Sequence, residues 1–103
     1  MSRAAIDDFL ACLGEARFYE AHEVFEAFWY PRRFEDNDEV RLIKGFINAS
    51  VSFELIRRGR PGPSRRAWET YLKYRPLLDS LECELAPAYR RVAETLETIK
   101  EQL

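Results

Sequence analysis

Histidine and cysteine are scarce in this 103-residue chain, which has one histidine, His22, and two cysteines, Cys12 and Cys83. No Cys-x-x-Cys pair occurs, and one histidine cannot complete the common zinc signatures. The two cysteines sit far apart in helix-like patterns. They read as reduced, partly buried small hydrophobes and not as a disulfide. No run of about eighteen apolar residues is present, so no membrane-spanning helix is expected. Asp7 and Asp8 interrupt the N-terminal segment before it reaches signal-peptide length, and a cytoplasmic location is the expectation. Neither sign of charge dominates: 16 basic residues against 18 acidic ones give a net charge of -2. Such a balance supplies no global attraction to nucleic acid or to an anionic membrane.

What the chain does contain is a 47% hydrophobic fraction with 14% aromatics, enough for one modest core and one domain spanning residues 1–103. Apolar residues recur at helical spacing in five segments and alternate like a strand in none. Ser2 can cap a first helix carrying Ile6, Phe9, Leu10 and Leu13, with Gly14 at its end. A second helix is expected from about Ala16 to Tyr30, stopped by Pro31. A third is expected from about Glu39 to Arg58, ended by Gly59. The turn Arg60-Pro61-Gly62-Pro63-Ser64 should precede a fourth, from Ser64 to Leu81, kinked or split at Pro76. The fifth, Leu85 to Gln102, places Leu85, Ala88, Tyr89, Val92, Leu96, Ile99 and Leu103 on one face. The short linkers make successive helices antiparallel neighbours. The fold class is all-α, a compact bundle of four to five antiparallel helices.

Turning each residue about 100° from the last shows which polar groups fall on apolar faces. His22 lies at the edge of the apolar arc of the second helix, near Phe18 and Trp29. Glu26 is its neighbour one turn on, while Glu23 points away. On the third helix, Glu54 projects between Ile43 and Ile47, where a carboxylate needs pairing, hydrogen bonding or a proton. Asn48 projects to the polar side, near Arg41 and Lys44. Arg75, between Trp68 and Tyr71 in projection, is a natural partner for Glu54.

The run Phe18-Tyr19-Glu20-Ala21-His22-Glu23-Val24-Phe25-Glu26-Ala27-Phe28-Trp29 resembles the signature of the helical family known as domain of unknown function 309. Leu42 to Asn48, with Arg57-Arg58-Gly59, resembles that family's second helical block, and the two blocks together cover roughly residues 14 to 80. The resemblance implies an all-helical bundle and no established activity. Its signature positions are Glu20, His22, Glu23, Glu26 and Trp29, with Gly45 on the next helix. Asn48 stands where the family usually has glutamine, and Phe53-Glu54 where a Tyr-His or similar pair is common.

Three chemistries compete for these residues. His22, Glu26 and Glu54 could hold a divalent metal for hydrolysis, since His-Glu-x-x-Glu is related to the zinc motif His-Glu-x-x-His, but no second histidine exists. No serine or cysteine stands in a nucleophile turn. Arg57, Arg58, Arg60, Arg65 and Arg66 crowd one turn and could bind RNA or phosphate, with Tyr30, Arg32 and Arg33 extending the patch if both loops share an end. Self-association is the third, with Phe34, Phe46, Tyr71 and Tyr74 as interface candidates and a homodimer as the expected assembly. The reading is a binding or assembly module and not an enzyme, with a polar pocket of His22, Glu26, Trp29, Glu54, Arg75, Glu23 and Glu20. No cofactor is required, and a divalent metal is the alternative.

Overall fold

A computed structural model describes all 103 residues. The chain forms five helices, α1 (Arg3–Gly14), α2 (Phe18–Trp29), α3 (Asp38–Arg57), α4 (Pro61–Tyr74) and α5 (Ala86–Glu101), with 3-10 turns at Tyr30–Arg32 and Arg75–Asp79. The architecture is the expected all-α bundle. None of its helices is long and apolar enough to cross a membrane.

Local chemistry sets the ends. Ser2 Oγ accepts from the Ala5 amide at 3.1 Å, and Asn37 Oδ1 accepts from the Glu39 and Val40 amides at 2.8 and 3.2 Å. These bonds satisfy amides that a helix start leaves without partners. The reversal after α1 falls not at Gly14 but at Ala16, whose φ is 57°. The Arg17 amide reaches the Cys12 carbonyl at 2.8 Å and the Ala16 amide reaches that of Leu13 at 3.1 Å, the paired bonds of a Schellman motif. The same motif closes α3, with Gly59 in the left-handed position (φ 72°) and the Arg60 amide on the Leu55 carbonyl at 2.8 Å.

The fourth helix starts three residues before the expected Ser64. Pro61 and Pro63 lie inside its first turn, where a missing N–H costs nothing because no acceptor stands behind it. Pro76 does end the α-helix, and the chain continues as the Arg75–Asp79 turn.

Helix α3 occupies the centre, packed by α2 and α4 along its length and by α5 at one side. Phe9 stacks on Phe25 at 3.9 Å, and Phe46 lies between Phe25, Tyr71 and Tyr89 at 6.0 to 6.2 Å. One aromatic chain thus joins all five helices. Close approach of α3 and α4 rests on Gly45, where an added Cβ would stand 3.1 Å from Tyr74 Cβ. Ser64 Oγ donates to the Ser52 carbonyl at 2.8 Å and fixes the same pair of helices further along.

Burial corrects two interface candidates. Phe46 and Tyr71 are fully enclosed, so neither is available to a partner, whereas Phe34 is 89% exposed. Tyr74 is half-buried. Of the cysteines, Cys12 is in the core but Cys83 is exposed, and both are free thiols. Two buried tyrosines reach surface carboxylates: Tyr71 donates to Glu97 at 2.5 Å and Tyr89 to Glu39 at 2.6 Å. Burial, reinforced by these carboxylates, pushes both phenols well above the usual tyrosine range.

Candidate functional site

The signature residues of α2 are distributed around that helix, and they part company. Phe18, Ala21 and Phe25 enter the core. Trp29 packs against the core edge and walls no depression beside His22. Glu20 faces outward at the first turn, where it pairs with Arg17, itself bonded to Glu15 at 3.0 Å. That position suits a carboxylate near a helix N-terminus and sets Glu20 apart from the His22–Glu26 pair.

His22 and Glu26 do come together. His22 Nε2 lies 2.7 Å from Glu26 Oε2, and Nδ1 lies 2.7 Å from the Tyr19 carbonyl. A neutral ring donates through one of these nitrogens, and the doubly protonated ring donates through both. Every one of these bonds stays within α2. The pair faces a depression of about 460 Å³ walled by Tyr19, His22, Glu23, Glu26, Ala27 and Tyr30. Glu23, expected to point away, forms one wall of it. On its other side His22 lines a smaller cleft of about 210 Å³ with Val51, Glu54 and Arg58.

Glu54 is thus near the histidine but not with its expected partner. Its oxygens meet Arg58 at 3.0 Å and Arg57 at 3.6 Å, both one turn along α3. Arg75 instead bonds Glu97 at 3.2 Å and Asp79 at 3.4 Å. The reason is axial position. Gly45 of α3 is level with Tyr71 and Tyr74, and Glu54, nine residues further on, is displaced by about 13 Å at 1.5 Å per residue. Projection gives the angle of a side chain, not its height. No three His, Cys, Asp or Glu side chains converge.

The arginines divide as well. Arg57 Nη2 donates to the Ala16 carbonyl at 2.6 Å, and its guanidinium lies over Phe18 at 5.0 Å, so it fastens the α1–α2 turn to α3. Arg58 serves Glu54. Arg60, Arg65 and Arg66 are exposed and make no ion pair. Because Pro61 and Pro63 lack N–H groups and the Ser64 amide is bonded to Arg60, only Gly62 offers a free amide in the first turn of α4. Arg32 and Arg33 do not extend this patch. They precede α3 whereas the other cluster follows it, and its 20 residues separate the two loops by about 30 Å.

Two features escaped the sequence reading. Arg33 lies over the rings of Tyr30 at 3.7 Å and Phe34 at 4.6 Å, forming a cationic and aromatic projection beside the α2 depression. The densest cue to it was the string Tyr30-Pro31-Arg32-Arg33-Phe34. A groove of about 810 Å³, the largest on the surface, lies between the α1–α2 turn, the end of α3 and the last turns of α5. No local motif marks it, because its walls come from three separate segments.

The model of the family described as Domain of unknown function (DUF309) matches residues 6–67, which cover most of α1, all of α2 and α3, and the first half of α4. The chain belongs to that family. Neither the comparison with curated proteins nor that with solved structures returned a match.

Proposed function

We propose that the protein is a binding and assembly module whose outer α2 face, around His22 and Glu26, docks a basic group carried by a second copy of the chain. The observation that carries this reading is that all bonds of the His22–Glu26 pair lie within one helix. The pair ties no two helices together, which a structural network would have to do. It leaves acidic groups facing solvent between the exposed rings of Tyr19 (52%) and Tyr30 (53%). Glu23 has no ion-pair partner there. Carboxylates flanked by aromatic faces suit a guanidinium or ammonium group.

The neighbouring projection supplies such a group. Arg33 makes no ion pair and is stacked between Tyr30 and Phe34. A twofold contact requires one patch to be complementary to itself. Here an acidic notch and a cationic aromatic projection stand side by side, so each copy can place Arg33 in the other's notch while the Phe34 rings cover one another. Tyrosine, phenylalanine and arginine are also the residues that interfaces favour.

Sedimentation equilibrium tests it. The wild type should be dimeric at micromolar concentration, Glu26→Arg and Arg33→Glu should each be monomeric, and the double variant should recover the dimer. A monomeric wild type, or an Arg33→Glu protein that remains dimeric, would overturn the proposal.

A second reading, RNA or phosphate binding, is supported by the unpaired Arg60, Arg65 and Arg66. With one free amide at the α4 start, side-chain charge would carry it. Binding should then weaken steeply with salt and on substituting Arg65 and Arg66 together. Salt-independent retention of a labelled RNA would contradict it.

A further inference from the structure

The largest groove carries chemistry that differs from the α2 face. Its volume, about 810 Å³, falls within the roughly 300–1,000 Å³ of sites that enclose organic ligands. Leu13, Phe18, Phe53, Ile56 and Ile99 give it apolar walls, and Ile56 remains 39% exposed within it. One cationic side chain lines the groove, Arg57, and one anionic side chain, Glu94 on α5. The two form no ion pair with each other.

Arg57 is stationed before any ligand arrives. Its bond to the Ala16 carbonyl and its seat over Phe18 fix the guanidinium at the groove wall. Its charge is only partly matched. Glu54 lies 3.6 Å away and is engaged more closely by Arg58, at 3.0 Å. A guanidinium with fixed orientation and spare donors binds a carboxylate at low entropic cost.

We infer that this groove is a binding site for an amphipathic monocarboxylate, whose hydrocarbon tail lies against Ile56, Ile99 and Leu103 while its carboxylate meets Arg57. The site is independent of the α2 face and of any dimer formed there. Its walls include α5, so it lies partly outside the segment that matches the family model.

Isothermal titration with octanoate and decanoate, each below its micellar concentration, tests the inference, with octanol and octylamine as neutral and cationic counterparts. The carboxylates should bind saturably at one site per chain, decanoate tighter than octanoate, and octanol at least tenfold weaker than octanoate. Arg57→Lys should keep the preference for the acid, and Arg57→Gln should abolish it. Because Arg57 also holds the α1–α2 turn, a second variant leaves it untouched. Thr98→Trp, at an exposed groove position, should fill the site and remove binding of all ligands without lowering the melting temperature appreciably. Absence of saturable binding, equal affinity for octanoate and octanol, or undiminished binding to Thr98→Trp would overturn it.

Discussion

Substituting Ala16 by glycine should stabilise this protein, although it deletes a methyl group. Ala16 holds φ 57°, a conformation that costs a residue with a Cβ about 1–2 kcal/mol and costs glycine little. Glycine also loses more conformational freedom on folding, which returns about 0.5–1 kcal/mol of that gain. The net expectation is a gain of about 0.5–1 kcal/mol, or about 3–6 °C in melting temperature for a domain near this size. The Ala16 carbonyl that receives Arg57 is unaltered by the change. Gly59 supplies the mirror experiment. It holds φ 72° with no atom within 4 Å of an added Cβ, so Gly59→Ala isolates the backbone cost and should lose about the same amount. Thermal and urea unfolding of both variants measures the pair. An Ala16→Gly protein no more stable than wild type, beside a Gly59→Ala protein that is clearly weakened, would refute the assignment of left-handed strain to Ala16.

Gly45→Val should lower stability by about 2–4 kcal/mol in urea denaturation, since its methyl groups would have to enter the α3–α4 contact, where even a Cβ stands 3.1 Å from Tyr74. Gly45→Ala should fall within about 1 kcal/mol of wild type, because the better helix propensity offsets a small separation of the helices. Ultraviolet titration at 295 nm should show Tyr71 and Tyr89 remaining protonated until the fold opens. Their phenols are raised in the folded state, so the stability they contribute is complete below the unfolded tyrosine value near 10 and is lost as pH rises above it. Unfolding that begins in alkali only above about pH 10 fits this sign; smooth ionisation of all five tyrosines with the fold intact contradicts it.

The helices were legible because their periodicity is strong, and α5 is the clearest case, with Ala88, Tyr89, Val92 and Leu96 all buried. The start of α4 was misplaced because Pro61 and Pro63 read as a break, although a first helical turn tolerates both. Gly14 drew attention from Ala16, since a left-handed alanine leaves no mark in sequence. At the site, the His22–Glu26 pair was legible because both members share one helix and their spacing fixes their distance. The Glu54–Arg75 pairing failed because its members sit on different helices at different heights. The Tyr71–Glu97 and Tyr89–Glu39 bonds were invisible for the same reason: Glu39 and Glu97 look like ordinary surface acids until α5 is docked. The groove at Arg57 needs three segments assembled before it exists.

The central claim is that the His22–Glu26 pair presents a surface and does not hold the bundle together. Urea unfolding of His22→Ala, followed by circular dichroism at a concentration where the protein is monomeric, tests it most directly. The pair is partly buried, with the His22 side chain 17% exposed. Loss of its i,i+4 bond and of the imidazole's packing is partly offset by the helix propensity of alanine, so the change should stay below about 1.5 kcal/mol with an unaltered denaturant slope. A loss of about 3 kcal/mol or more, the size associated with a broken buried network, would contradict the account and return His22 to a structural role.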